Sequence, residues 1–220
     1  MIKLSPRLQA ILNSMPNISC ANIADVGCDH GKLIVEAIIQ GKSKKGYALD
    51  ISKPSLLKAE ELASNCGLNN EIEFLVSDGL MGVQGVMDCT FIAGMGGEEI
   101  KKIVKRDYKK SKYFIISPNN NELLVRRFLK DMDFHIEKDF YVKDDFFYPV
   151  IVFSTINGKN NYLEDELFIG KNEPKQECYM ERNMFRFGIL ENIKKNAKDK
   201  MNVNLIKEYE VLDKWLKLNK

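Results

Sequence analysis

The sequence predicts an α/β fold: a parallel sheet covered on both faces by helices, followed by a C-terminal helical hairpin. Three observations carry this. Short apolar runs rich in β-branched and aromatic residues alternate with amphipathic stretches between residues 22 and 132. The first run ends in a glycine turn, Ala24-Asp25-Val26-Gly27-Cys28-Asp29-His30-Gly31, that opens straight into a helix. From about Lys175 onward, apolar residues recur at three- and four-residue spacing in a charged background.

Ser5 followed by Pro6 is an N-cap with proline at the first helical position, and Leu8, Ile11 and Leu12 share one face of a short leading helix. A strand over 22–26 leads to a helix over about 32–40, and a strand over 46–50 leads to a helix that Ser52 caps and Gly67 stops. The strand 72–76 runs into a glycine-rich connection. The strand 89–93 passes through Gly94-Met95-Gly96-Gly97 to a helix, and the strand 113–116 through Ser117-Pro118-Asn119 to a helix ending near Met132. Five βα units imply a parallel sheet. Strands over 135–143 and 147–155, with Asp144-Asp145 between them, read as an antiparallel hairpin at the sheet edge.

The polar stretch 156–161 is the expected boundary between a domain over 1–158 and an appendage over 159–220. In the appendage Met180, Met184, Phe187, Leu190, Ile193 and Ala197 form one stripe, and Met201, Leu205, Tyr209, Leu212 and Leu216 a second. Two antiparallel helices in a coiled-coil hairpin follow, with these residues as hairpin core rather than a ligand box.

The glycine turn has the character of a cofactor site. Gly27 and Gly31 admit backbone angles closed to other residues, and the helix after Gly31 points free N–H groups at whatever sits there. A dinucleotide fingerprint places glycine where this chain has Asp29, so that a pyrophosphate can touch the backbone. A carboxylate there repels an anion, so the ligand is neutral or cationic near its reactive end. Asp50 lies 23 positions after Gly27 at the end of the next strand, where nucleoside-binding folds grip ribose hydroxyls. Asp78 follows the third strand and can accept from an adenine amino group. Three acids at successive strand ends, without a phosphate-binding lysine motif, favour S-adenosylmethionine, a sulfonium, over NAD or ATP. The candidate cofactor contacts are Asp25, Gly27, Asp29, His30, Asp50, Ile51, Asp78, Gly79, Gly94 and Met95.

Composition removes several classes. The 220 residues are 45% hydrophobic and contain no apolar run of about 18, so no membrane helix is expected. The N-terminus lacks a secretory pattern, and five scattered cysteines suit reduced thiols, which together point to the cytoplasm. Cys28, Asp29 and His30 are adjacent, but consecutive residues in a turn rarely converge on one ion, so no metal is expected. The net charge of +2 does not announce nucleic acid. The basic run from Lys101 to Lys112 is equally a solvated helix face, since Glu98, Glu99 and Asp107 dilute it. A monomer is favoured.

The chain resembles the TrmK family of bacterial tRNA adenine-N1 methyltransferases. The resemblance rests on Leu4-Ser5-Pro6-Arg7-Leu8, on Ala24 to His30, on Asp78-Gly79-Leu80, on Ile92-Ala93-Gly94-Met95-Gly96-Gly97 and on Pro118-Asn119. It implies a Rossmann-like class I methyltransferase domain with a C-terminal coiled coil, S-adenosylmethionine as cofactor, and tRNA as substrate, methylated at the adenine of position twenty-two in the D-arm. Gly31-Lys32 and Tyr148-Pro149-Val150 depart from the family pattern, and the C-terminal helices match least.

N1 of adenine is a weak neutral nucleophile, and its methylation places positive charge on the ring. Alignment and a carboxylate or carbonyl acceptor for the exocyclic amine are what help. Asp29 is the expected catalytic carboxylate, with loop capping as its alternative. His30 contacts substrate or packs the turn. Gly94 to Gly97 are expected to leave room for a flipped purine. Asn119 is expected to read its edge, unless it is a helix N-cap. The alternatives are a methyltransferase of this fold acting on another RNA, a protein or a small molecule, and a catalytically silent RNA-binding module.

Overall fold

The computed structural model describes residues 2–171, 177–196 and 201–219. Lys175 and Ala197, named above in the helical stripes, lie outside them. The chain begins with helix α1 (Pro6–Asn13), whose N-cap Ser5 side chain accepts from the Leu8 N–H. It continues through β1 (Cys20–Val26), α2 (Lys32–Ile39), β2 (Ser43–Asp50), α3 (Lys53–Asn65), β3 (Ile72–Val76), β4 (Met87–Ala93) and α4 (Gly97–Asp107). β5 (Ser111–Ser117), α5 (Glu122–Asp131), β6 (His135–Lys143) and β7 (Phe147–Ser154) complete the sheet. A single helical turn α6 (Glu166–Ile169) and the long helices α7 (Glu177–Asn196) and α8 (Val203–Leu218) follow.

The seven strands lie in the order β3-β2-β1-β4-β5-β7-β6. The first five are parallel; β7 runs antiparallel to β5, and β6 antiparallel to β7 at the edge. β4 is buried at every position but its last, as a central strand covered on both faces must be. One expectation needs correction. Four of the five parallel strands lead into a helix; β3 reaches β4 through the loop 77–86, in which buried Leu80 and Val83 cover the sheet where a helix would lie. The sheet carries all its active-end loops at the C-terminal ends of β1, β2, β4 and β5, beside the point where the chain order reverses.

α7 and α8 are antiparallel: Tyr179 near the start of α7 meets Trp215 near the end of α8 at 5.5 Å between ring centroids, and Phe187 stacks on Tyr209 at 5.1 Å. They form no separate core. Tyr179, Leu190, Leu212 and Trp215 belong to the same buried cluster as Phe114 and Ile116 of β5. The inward face of α7 is polar as well as apolar, with Arg182 and Asn183 buried beside Tyr179 and Leu190, whereas Met184 of the expected stripe is half exposed. Residues 159–171 are equally tied to the sheet, because Tyr162, Leu167, Phe168 and Ile169 are buried in that cluster.

The fastening is ionic and fully buried. Arg126 of α5 donates to both oxygens of Asp139 on β6 at 2.8 and 3.1 Å, and its third contact is the Tyr141 hydroxyl at 3.0 Å. Tyr162 donates to Asp139 at 2.6 Å, and Glu122 receives Tyr141 at 2.7 Å and pairs with Arg182 of α7. Removing one partner of such a pair strands a charge where water cannot reach it. We expect Arg126→Met to cost about 3–5 kcal/mol in urea denaturation, and Arg126→Met with Asp139→Leu to cost less than the single change. A loss below about 1 kcal/mol in the single variant would show that the pair is not structural.

Candidate active site

The site is made by the chain turning out of the sheet after β1. The Gly27 and Cys28 N–H groups both donate to the Leu49 carbonyl, at 2.7 and 3.1 Å, which bends the chain over the end of β2. Gly27 takes φ +70° and Asp29 φ +49°, the left-handed region in which an aspartate is tolerated at some cost. The Asp29 N–H donates to Asp50 Oδ2 at 3.1 Å, while Asp50 Oδ1 accepts from the Ser52 N–H at 2.8 Å. One carboxylate therefore holds both loops. Gly31 takes φ +68°, and a Cβ there would lie 2.7 Å from the Ala59 Cβ. The close approach of α3 and the positive φ account for glycine at this position.

Beside this turn is a cavity of about 350 Å³. Asp25, Gly27, Asp29, His30 and Gly94 line it, together with Arg7, Lys32, Asp144, Asp145 and Tyr148. Asp25 is buried, and desolvation, with the nearby Asp50 charge adding to it against a backbone hydrogen bond at Ile34, pushes its carboxyl up to about 7. Burial, with the nearby Asp25, Asp50 and Asp29 charges adding to it, also raises the Cys28 thiol and so disfavours its thiolate. The Asp29 carboxylate is 73% exposed, 3.6 Å from His30 Nε2, and accepts no backbone hydrogen bond among the described residues. Loop capping by its side chain is thus not seen. Among the described residues no three His, Cys, Asp or Glu are grouped to hold a metal ion, and no helix is long and apolar enough to cross a membrane.

Three of the expected site regions have partners within the protein. Asp78 is exposed and held in place: Arg106 donates to both its oxygens at 2.9 and 3.3 Å, and also pairs with Asp107, which receives the Leu80 N–H at 2.8 Å. Gly79 sits under this clamp. A Cβ on Gly97 would meet the Asn120 and Asn121 carbonyls at 2.8 and 2.9 Å, so glycine there serves close packing, whereas Gly94 opens on free space. Asn119 is not the N-cap of α5, a position taken by Asn121, and its exposed amide makes two contacts within the protein. Its Nδ2 donates to the Gly94 carbonyl at 2.7 Å and its Oδ1 accepts from Arg7 at 2.8 Å. Asp50, Ile51, Asp78, Gly79, Met95 and Asn119 lie outside the cavity lining. Ile51 is exposed just beyond Asp50, and the Met95 side chain covers Gly27.

Sequence reasoning missed Arg7, Ser117, Asp144, Asp145 and Tyr148. The Arg7 guanidinium donates to the Ser117 hydroxyl at 2.9 Å, to the Ser117 carbonyl and to Asn119, and lies 3.9 Å over the Tyr148 ring. Its backbone N–H reaches Asp144 at 3.3 Å, and Tyr148 donates to Asp145 at 2.9 Å. One side chain of the leading helix so joins the loop after β5 to the turn of the β6–β7 hairpin. The only signal in the sequence is Arg7 within the Leu4-to-Leu8 motif, where it reads simply as helix.

A family model described as a methyltransferase domain matches residues 4–151. The chain belongs to that family. It is 33% identical over 132 residues to the tRNA (adenine(22)-N(1))-methyltransferase of Bacillus subtilis, a stretch covering 58% of this chain and 55% of that one. The structure of M. capricolum TrmK, solved with the cofactor product S-adenosyl-homocysteine, superposes with a TM-score of 0.78 at 26% identity over 98% of this chain and 96% of that one. The B. subtilis m1A22 tRNA methyltransferase TrmK superposes with a TM-score of 0.80 at 23% identity, covering 100% and 98%. Within the methyltransferase family, TrmK structures and a tRNA (adenine(22)-N(1))-methyltransferase are among the proteins this chain is similar to.

The fork of Arg7 predicts that charge alone does not replace it. Arg7→Lys and Arg7→Ala should both lower methyl-transfer efficiency about tenfold or more, the loss of one or two charge-assisted hydrogen bonds. Wild-type transfer by Arg7→Lys in a steady-state assay would reduce Arg7 to a point charge.

Proposed function

We propose that this protein transfers the methyl group of S-adenosylmethionine to N1 of an adenine in tRNA, at position twenty-two of the D-arm. The observation that carries the reading is the pairing of an exposed Asp29 carboxylate, held in a left-handed turn, with the open backbone of Gly94 across an acid-lined cavity. The donor set suits the cofactor: Asp25, Asp29, Asp144 and Asp145 favour a ligand bearing an ammonium and a sulfonium over a pyrophosphate. Asp50 is placed for the ribose and Gly27 and Gly94 for close backbone approach. When bound, the cofactor supplies the electrophilic methyl carbon.

The protein's part is to align and to neutralise. Asp29 accepts from the adenine exocyclic amine and stabilises the positive charge that spreads onto it as N1 is methylated. Asn119 fixes the Gly94 carbonyl and, through Arg7, the wall of the cavity, and its second amide N–H and second lone pair remain to read the adenine edge. Residues 1–158 carry the cofactor site and residues 159–220 position the RNA, in a monomeric cytoplasmic enzyme. Calorimetry with S-adenosylmethionine, methyl transfer to unmodified tRNA and nucleoside mass spectrometry test the whole reading; cofactor binding without 1-methyladenosine would return the alternatives of another substrate or a silent module.

Two predictions follow from the carboxylates. Asp29→Ala should lower kcat about 10²-fold with little change in cofactor or tRNA dissociation constants, and Asp29→Asn should recover part of it. A defect confined to cofactor binding would remove Asp29 from catalysis.

Asp25 makes cofactor binding pH-dependent. Its folded value of about 7 exceeds its usual 3.8, so it is neutral below about pH 7 and its contribution to the free protein's stability declines as pH rises from about 4 through 7. A cationic ligand favours the ionised form, so affinity should rise between pH 6 and 8, by up to about tenfold per unit below the pKa, with a proton released on binding. Calorimetry in buffers of different ionisation enthalpy measures that proton, and Asp25→Asn should abolish it.

A further inference from the structure

A second cavity, of about 410 Å³, lies between the start of α5, the β6–β7 turn and helices α7 and α8. It falls within the range of about 300–1,000 Å³ of small-ligand sites. Asn119 lines it and also accepts from Arg7, which lines the first cavity, so the two spaces share a wall. That wall is aromatic. Phe146 meets Tyr148 at 6.4 Å, Phe147 at 6.0 Å and Phe185 of α7 at 5.9 Å, a continuous run of rings from one cavity to the other. Phe146 and Phe185 are 53% and 47% exposed, although the buried cluster of the same helices could have covered them.

The charges in the pocket are already satisfied. Arg182 pairs with Glu122, and Arg186 with Glu208 through two contacts of 2.7 Å. A pocket whose cations are paired has little to offer a phosphate, but exposed rings on a neutral floor suit a flat, uncharged ring system. Any RNA that presents an unstacked adenine to the first cavity must also part that adenine from its neighbours, which costs stacking energy.

We propose that the second cavity receives a nucleobase adjacent to the methylated adenine, stacked on Phe185 and Phe146. The inference rests on the RNA-methyltransferase reading and adds to it a subsite for a second, non-reacting base. Holding the neighbour on an aromatic platform offsets part of the unstacking cost and keeps the target adenine from sliding back into the helix.

The test uses the full chain and an unmodified transcript of the tRNA, with 2-aminopurine placed in turn on either side of the target. Phe185→Ala should raise the tRNA KM and Kd about tenfold, in the range of one lost base–aromatic stack, while the cofactor Kd measured by calorimetry is unchanged. Phe185→Trp should retain affinity, and Phe185→Leu, which keeps apolar bulk without a ring, should not. Binding to the wild-type protein should quench one of the two 2-aminopurine positions as it stacks, and the quench should weaken in Phe146→Ala. Leucine performing as well as phenylalanine, or no quench at either position with the wild-type protein, overturns the proposal, as does a Phe185→Ala variant with unaltered tRNA affinity, the result expected if the pocket takes a protein side chain. The fluorescence arm needs binding only. A wild-type protein that binds and quenches but forms no 1-methyladenosine defeats the reaction assigned above and leaves the subsite standing.

Discussion

The ion pair of Arg126 with Asp139 is the constraint on which the second half of the molecule is built. Both side chains are wholly inaccessible, so each requires the other, and each is further fixed by a tyrosine, Tyr141 for the arginine and Tyr162 for the carboxylate. Four pieces of chain are thereby bound to one point: α5, the edge strand β6, the segment after β7 and, through Glu122 and Arg182, helix α7. Hydrophobic burial could hold these elements together, but it is non-directional. A bidentate guanidinium–carboxylate contact fixes their register as well.

That register decides where the site's second wall stands. The β6–β7 hairpin carries Asp144, Asp145, Phe146 and Tyr148 at its turn, and the loop into α5 carries Asn119 to Asn121. Arg7 then connects hairpin and loop to the leading helix, so the first and last strands of the sheet contribute to one cavity. The opposite wall is local. It is formed by the Gly27-to-Gly31 turn, fastened to Asp50 by backbone hydrogen bonds that involve no distant element.

The cavity between these walls is acidic, and its electrostatics follow from burial. Asp25 sits where water cannot stabilise its charge, while Asp29 stands in solvent at the mouth. The two carboxylates of one turn thus differ in setting, the inner buried in the cavity wall and the outer exposed beside it. Asp78, on another loop, is ion-paired with Arg106.

The sequence by itself determined the order of elements, the cofactor turn and the antiparallel hairpin at the sheet edge, because each is written in residues within a few positions of one another. Periodicity, caps and glycines report local backbone preference, and the glycines of the β1–α2 turn are legible in that way even though Leu49, Asp50 and Ala59 hold it in place. Only the tertiary structure decided that Asn119 is a strap, that Gly97 serves packing against Asn120 and Asn121, that Asp78 is clamped by Arg106, and that Arg7, Tyr148 and the Asp144-Asp145 pair enclose the site. Those contacts join residues up to about 140 positions apart, as Arg7 and Asp144 are. No local pattern records such a meeting, since charge and hydrogen bonding across the sheet depend on which strands become neighbours.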